Sequence, residues 1–175
     1  PKYYFATSLD GLVDVIKNKD EEFIVNALRL IEPNIKDFVL SKNEVLVDIG
    51  LDKRIPINMM GDGARKILSI LTSIYECKNG IVLIDELSNG FHYSVMKGVW
   101  TSIVSVAKKN NVQIFATTHD LDSIKGLRDA AMSCEEYNNS IVCFKLHRTD
   151  NSELKSYQYS LDSVDYSLNQ EIEIR

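Results

Sequence analysis

Ile81-Val82-Leu83-Ile84-Asp85-Glu86 decides how this chain is read, with Lys78-Asn79-Gly80 before it and Leu87-Ser88-Asn89-Gly90-Phe91-His92 after it. A good helix stop, an apolar run and then two carboxylates predict a short strand that is apolar on both faces. That is the pattern of a central parallel strand covered by helices on each side. A parallel sheet presents its ligand site at the carboxyl ends of its strands, so Asp85 and Glu86 stand where chemistry is done. Acids of this kind also occur as helix caps or solvated loop residues, and the string alone does not separate the two readings.

The flanks supply independent signals. Tyr93 to Lys109 predicts a helix with Val95, Met96, Val99, Trp100, Ile103, Val106 and Ala107 inward and Lys108 and Lys109 at its end. Val112, Ile114, Phe115 and Ala116 then predict a second buried strand, completing a right-handed β-α-β crossover with parallel strands. Thr117-Thr118-His119 leave the carboxyl end of that strand, which brings the imidazole toward the crevice of Asp85 and Glu86. A histidine there hydrogen-bonds to a γ-phosphate or to an attacking water without having to be the base. His92 reads instead as a loop or helix-start residue and His147 as an edge-strand residue. Upstream, Met60-Gly61-Asp62-Gly63-Ala64-Arg65-Lys66 sets a glycine turn before a helix with Ile67, Leu68, Ile70, Leu71, Ile74 and Tyr75 as its apolar stripe. Such a turn offers backbone N–H groups and the positive end of the helix dipole to an anion. The competing reading is an ordinary Gly-rich turn capped by Asp62.

The remainder predicts one domain over 1–175: a helical and antiparallel lead-in at 1–55, a core at 56–127, and edge strands with a polar tail at 128–175. Ser8 is expected to cap a short helix through Lys17, and Asp20 to cap a second one stopped by Pro33. Phe38 to Leu40, Glu44 to Ile49 and Lys53 to Ile57 are β-rich, the last two joined by a Gly50-Leu51-Asp52 turn. Beyond a short helix from Asp120 to Leu127, Ile141 to Leu146 and Leu154 to Tyr159 predict an antiparallel pair closing an edge through an Asp150-Asn151-Ser152 turn. Tyr3, Tyr4 and Phe5 read as a strand or packed edge, and a first residue Pro1 in place of Met is what a piece of something longer would show.

With 175 residues, 45% of them hydrophobic, the chain is large enough for a real core. A net charge of −5, from 25 Asp+Glu against 20 Lys+Arg, argues against a surface devoted to a phosphate backbone. Cys77, Cys134 and Cys143 are odd in number and widely spaced, so neither a disulfide framework nor a zinc knuckle is expected. No membrane-spanning run or signal peptide is evident, and a cytoplasmic location is expected.

In order and spacing, residues 56–127 resemble the second half of the nucleotide-binding domain of ABC-type ATPases, particularly the AAA-type ATP-binding proteins related to the overcoming-lysogenization-defect (OLD) family. Met60-Gly61-Asp62-Gly63 resembles the signature motif, Ile81 to Glu86 Walker B, Ser88-Asn89-Gly90-Phe91-His92 the D-loop, and Phe115 to His119 the switch-histidine loop. The resemblance implies an α/β P-loop NTPase-like core with a parallel central sheet, flanking helices and antiparallel edge strands. It also implies ATP and Mg²⁺ as ligands, with Asp85 toward the metal, Glu86 and His119 catalytic, and Gly61, Asp62, Gly63, Ser88, Asn89 and Gly90 toward nucleotide. The family's arrangement is a sandwich in which the signature loop of one subunit covers ATP on the P-loop of the other, hence a homodimer. An effector or nucleic acid in the parent protein is compatible with the family.

Two departures bear on that expectation. Gly61 stands where many ABC signatures carry serine, which removes a hydroxyl and leaves backbone donors. No G-x-x-x-x-G-K-[ST] occurs, since Lys66 follows Arg65 rather than glycine, so the phosphate cradle is expected on an amino-terminal lobe outside this chain. An isolated chain is then expected to hydrolyse ATP poorly. The rival readings are a non-catalytic assembly module derived from the fold, and a metal-dependent nuclease built on Asp120-Leu121-Asp122. A serine hydrolase using Ser88, His119 and Asp85 fails for want of a glycine-flanked elbow.

Overall fold

The apolar stripe after Gly63 becomes the spine of the core. Ala64, Ile67, Leu68, Leu71 and Ile74 recur three and four residues apart, share one helix face, and are almost wholly buried. The structure, a computed structural model, describes residues 9–42, 44–134, 140–149 and 152–170. The elements run α1 (Leu9–Lys17), α2 (Glu22–Leu28), β1 (Asp37–Ser41), β2 (Glu44–Asp48), β3 (Ile55–Pro56), a 3-10 turn (Ile57–Met60), α3 (Asp62–Glu76), β4 (Ile81–Ile84), a 3-10 turn (Tyr93–Val95), α4 (Met96–Lys109), β5 (Gln113–Ala116), α5 (Leu121–Met132), β6 (Cys143–Arg148), β7 (Leu154–Tyr159) and α6 (Leu161–Asn169).

α3 packs against α1, α2 and α4, and α4 in turn lies along α5. The α4–α5 contact is fixed by the buried Trp100, whose indole N–H donates to the Ser123 carbonyl at 2.9 Å. A buried indole that found no acceptor would be costly. β1, β2 and β3 form an antiparallel sheet in that order, with Phe38 opposite Val47. Phe38, Val45 and Val47 point into the same core as α3. β4 and β5 pair in parallel, Ile81 opposite Gln113 through Ile84 opposite Ala116, with α4 as the crossover. No helix among the described residues is long and apolar enough to cross a membrane.

Several expectations are corrected. β4 and β5 are not buried on both faces: Leu83 and Phe115 are 57% and 52% exposed, and Ile81 is exposed beside them. The described residues cover only one side of this sheet, so the apolar pattern is fulfilled on that side alone. β6 and β7 pair only with each other, Cys143 opposite Tyr159, and do not close an edge of another described sheet. Their turn at Asp150 and Asn151, like Tyr3, Tyr4, Phe5 and the Ser8 cap, lies outside the described residues. The polar tail carries α6, capped by the Ser160 hydroxyl at the Ser163 N–H. α5 runs past Leu127 to Met132. α2 ends at Leu28 in turn structure, well before Pro33. Of the cysteines, Cys77 is buried, donating to the Ile81 carbonyl at 3.3 Å, whereas Cys134 and Cys143 are only partly covered.

Asp20 does not cap α2. Its carboxylate accepts from the Tyr75 hydroxyl at 3.0 Å and from the Lys109 ammonium at 3.0 Å, tying the α1–α2 turn to the ends of α3 and α4. These bonds, Lys109 first, hold the Asp20 pKa below the usual aspartate value. A lowered carboxylate pKa contributes stability above the unfolded value, and the contribution fades as pH falls through the folded value. Asp20→Ala is therefore expected to cost up to about 1 kcal/mol at neutral pH, the scale of a partly exposed ion pair. Urea melts of the two proteins should converge as pH falls through the lowered Asp20 pKa.

Candidate functional site

The parallel register of β4 and β5 places the residues that follow them side by side. Thr117 N–H donates to the Ile84 carbonyl at 2.9 Å and Leu87 N–H to the Thr117 carbonyl at 3.0 Å, so the pairing continues one step beyond both strands. Across that step the Thr117 hydroxyl donates to Asp85 Oδ1 at 2.6 Å and accepts from the Glu86 N–H at 3.0 Å. One hydroxyl thereby orients the carboxylate of Asp85 and the backbone of Glu86 together.

Glu86 sits in the left-handed region, φ +48°, which costs a non-glycine residue on the order of 1 kcal/mol. Its surroundings fix it there on every side. Its carbonyl accepts from the Asn89 N–H at 3.1 Å and from the Lys66 ammonium at 2.5 Å. Its carboxylate meets His119 Nδ1 at 2.6 Å. The two groups are in direct contact at that distance, although Oε2 is covered and makes no hydrogen bond of normal geometry. The imidazole is largely exposed and the Glu86 side chain partly so, with Oε2 itself covered.

The loop after Glu86 is clamped from two sides. Ser88 is buried and its hydroxyl shares a hydrogen bond with Thr118 at 3.1 Å, while Thr118 also accepts from the Asp120 N–H at 3.1 Å. Phe91 N–H closes a turn onto the Ser88 carbonyl at 3.1 Å. Gly90, at φ +85°, lies directly against the first turn of α3: a Cβ on Gly63 would stand 2.7 Å from the Gly90 carbonyl oxygen. Gly61, at φ +84° and with open space around its Cα, leads into that turn. α3 starts at Asp62, whose side chain makes no cap but pairs with Arg65, so the capped-turn reading of this glycine stretch is not what forms.

The sequence-predicted residues thus fall into two neighbouring groups. Asp85, Glu86 and His119 come together at the ends of the parallel strands. Gly61, Asp62 and Gly63 stand at the start of α3 beside Gly90, with Asn89 exposed on the same loop and Ser88 turned inward. His92 opens the 3-10 turn before α4, its Nδ1 2.8 Å from the Ser94 hydroxyl, and lies outside both groups. Asp120 caps α5 through the Asp122 N–H at 3.0 Å, and Asp122 pairs with Lys125, which accounts for both acids of the nuclease reading.

Residues 6–123, which take in the glycine turn, both parallel strands and the loop to His119, match the AAA ATPase domain family. The chain belongs to that family. It is 26% identical over 159 residues to an ATP/GTP phosphatase of Helicobacter pylori, a match covering 88% of this chain and 43% of that protein. It is 35% identical over 107 residues to an uncharacterized protein of Methanocaldococcus jannaschii, covering 60% of this chain and 89% of the other. The chain therefore spans less than half of the phosphatase.

Among solved structures, this AAA ATPase domain superposes with a TM-score of 0.58 on a chain from a study of ATP-driven dimerization and DNA-stimulated activation of SMC ATPases. Identity is 12%, with 94% of this chain and 99% of that one covered. An SMC head bound to the C-winged helix domain of ScpA gives a TM-score of 0.56 at 14% identity, covering 90% and 49%. These likenesses establish the P-loop NTPase fold.

Two residues of the AAA ATPase domain site were not singled out from sequence for the work they do. Thr117 was legible in principle, since parallel register sets it opposite Asp85. Lys66 carried only the weaker signal of standing one helical turn after Asp62. Its ammonium lies half-buried, 5.9 Å from the Phe91 ring centroid. Burial pushes its pKa below the usual lysine value, with the charges of Glu86 and Asp85 acting in the opposite sense.

Proposed function

We propose that this chain is the Walker B, signature and switch portion of an ABC-like ATPase of the OLD-like group, hydrolysing ATP with Mg²⁺ once a P-loop lobe completes the site. The observation that carries the reading is the 2.6 Å contact between Glu86 and His119 beside Asp85, at the ends of adjacent parallel strands. Glu86 orients water and takes up its proton, and His119, beside that carboxylate, serves the γ-phosphate side. Asp85 fits a metal on its donor chemistry: it is exposed, and Thr117 engages Oδ1 and leaves Oδ2 without a partner among the described residues. Among those residues no group of three or more His, Cys, Asp or Glu is arranged to hold a metal, so Mg²⁺ here would take its other ligands from water and phosphate. When bound, the ion supplies charge neutralisation at the phosphates.

The backbone N–H groups of Gly61 to Gly63, with Asn89 and Gly90 beside them, offer donors to nucleotide held by a second copy, so that ATP closes a homodimer. The reading sets the protein in the cytoplasm and makes a nucleic acid or an attached effector the recipient of the ATP cycle.

The test compares this chain with the full-length parent for ATP binding and turnover, each with Mg²⁺ and with a chelator. Metal-dependent turnover by the parent and little by the isolated chain is expected. A parent that binds no ATP leaves only the assembly-module reading, and equal turnover by the isolated chain contradicts the missing cradle.

A further inference from the structure

We propose that Lys66 is a positioning residue that ties the helix behind the glycine turn to the backbone of Glu86, so that the carboxylate meets water in one orientation. The inference rests on Glu86 being the water-orienting base. Four features of the structure support it. The Lys66 ammonium stands 2.5 Å from the Glu86 carbonyl oxygen, a bond between residues twenty positions apart on different elements. The same carbonyl accepts from the Asn89 N–H, so both of its lone pairs are engaged and the peptide plane cannot rotate freely.

The residue so held is at φ +48°, a conformation that persists only where surrounding contacts over-determine it. Without Lys66, one of those contacts is lost and the left-handed residue gains a route to relax. Finally, Asp62 and Lys66 lie four apart on α3 and therefore on one face. A shift of the Gly61–Gly63 turn when it meets a phosphate is thus carried one helical turn to the carbonyl of Glu86.

A lysine near an ATPase site invites a simpler role as a phosphate ligand. The geometry favours the positioning role here, because the ammonium already donates to the Glu86 carbonyl and lies half-buried near the Phe91 ring. A phosphate ligand would chiefly change substrate affinity, whereas a positioning residue changes the chemical step.

The experiment uses the full-length parent carrying Lys66→Met, Lys66→Arg, Glu86→Gln and the Lys66→Met/Glu86→Gln pair. Lys66→Met is expected to lower kcat about tenfold to a hundredfold, the scale of a small misplacement of a reacting group. KM and ATP affinity should stay within about twofold. Lys66→Arg, which keeps a cationic donor, should recover most of the rate. In the Glu86→Gln background Lys66→Met should add no further loss, because it acts only through that carboxylate. Should Lys66→Met not fold, Lys66→Leu gives the same comparison with another side chain that carries no donor.

An unchanged kcat, a loss confined to KM, or losses that multiply in the double variant each overturn the role of Lys66. If Glu86→Gln slows turnover and Lys66→Met does not, only this inference falls. If Glu86→Gln turns over normally, the reading of Glu86 falls first.

Discussion

Glu86→Gln in the parent protein is expected to reduce kcat by about a hundredfold to ten thousandfold, the contribution of a well-placed general base. ATP binding and thermal stability should stay close to wild type. The substitution is isosteric and removes only the ability to accept a proton. The backbone that presents the side chain is held by Thr117, Asn89 and Lys66, none of which touches the carboxylate. Glutamine keeps the length and shape of the side chain beside His119, so the loop that carries His119 keeps its packing contact. The side chain is partly exposed although Oε2 itself is covered, and a neutral amide costs less to cover there than a carboxylate. The variant should therefore bind ATP and accumulate in its closed, unhydrolysed form. Single-turnover measurements with labelled ATP separate the chemical step from binding. Loss of binding in parallel with turnover would assign Glu86 to holding the metal–nucleotide complex, and undiminished turnover would remove it from the mechanism.

Much of this arrangement is legible in sequence because it depends on local rules. The run Ile81 to Ile84 has the length and composition of a strand. Once Val112 to Ala116 is read as its parallel neighbour, register alone carries Asp85 next to Thr117 and sets the His119 loop alongside. α3 and α4 follow from apolar spacing. What sequence does not carry is the covering of each surface. The exposure of Leu83 and Phe115 depends on which other chain segments lie over the sheet, and a strand written for two covered faces reads the same with one of them open. Asp20 shows a second limit. Its position before α2 matches the rule for a cap, yet partners far along the chain, Tyr75 and Lys109, compete for the same carboxylate and win it. Lys66 was hidden for a similar reason. Its partner is a backbone carbonyl, and carbonyls leave no mark in the sequence.

The contact between the two halves of the site makes Gly63→Ala the most damaging small substitution expected after Glu86→Gln. Alanine is the better helix former by about 1 kcal/mol, so propensity alone predicts a gain at this position in the first turn of α3. Packing predicts the opposite. The new Cβ would lie 2.7 Å from the Gly90 carbonyl oxygen, and that oxygen belongs to a backbone already committed to φ +85° between Asn89 and Phe91. Phe91 and Ile31 also border the position, at 3.4 Å and 3.6 Å, and their side chains can give way, whereas the carbonyl moves only with the loop that starts at Glu86. Overpacking of this kind costs about 1–3 kcal/mol, which exceeds the propensity gain. Displacing the loop by even a fraction of its contact distance also disturbs the Asn89 bond to Glu86, and a misplacement near 1 Å at a reacting group is worth about a hundredfold in rate. Gly11→Ala is the comparison away from the site, because its Cβ would overlap the Glu76 side chain at Cγ and not the loop after Glu86. Chemical denaturation and steady-state turnover of the two variants in the parent should therefore diverge, Gly63→Ala losing both stability and rate and Gly11→Ala losing stability while keeping the rate of the folded protein. Equal behaviour would mean that the glycine turn and the loop after Glu86 are not held in contact, and the coupling between that turn and the Glu86 carboxylate would lose its physical basis.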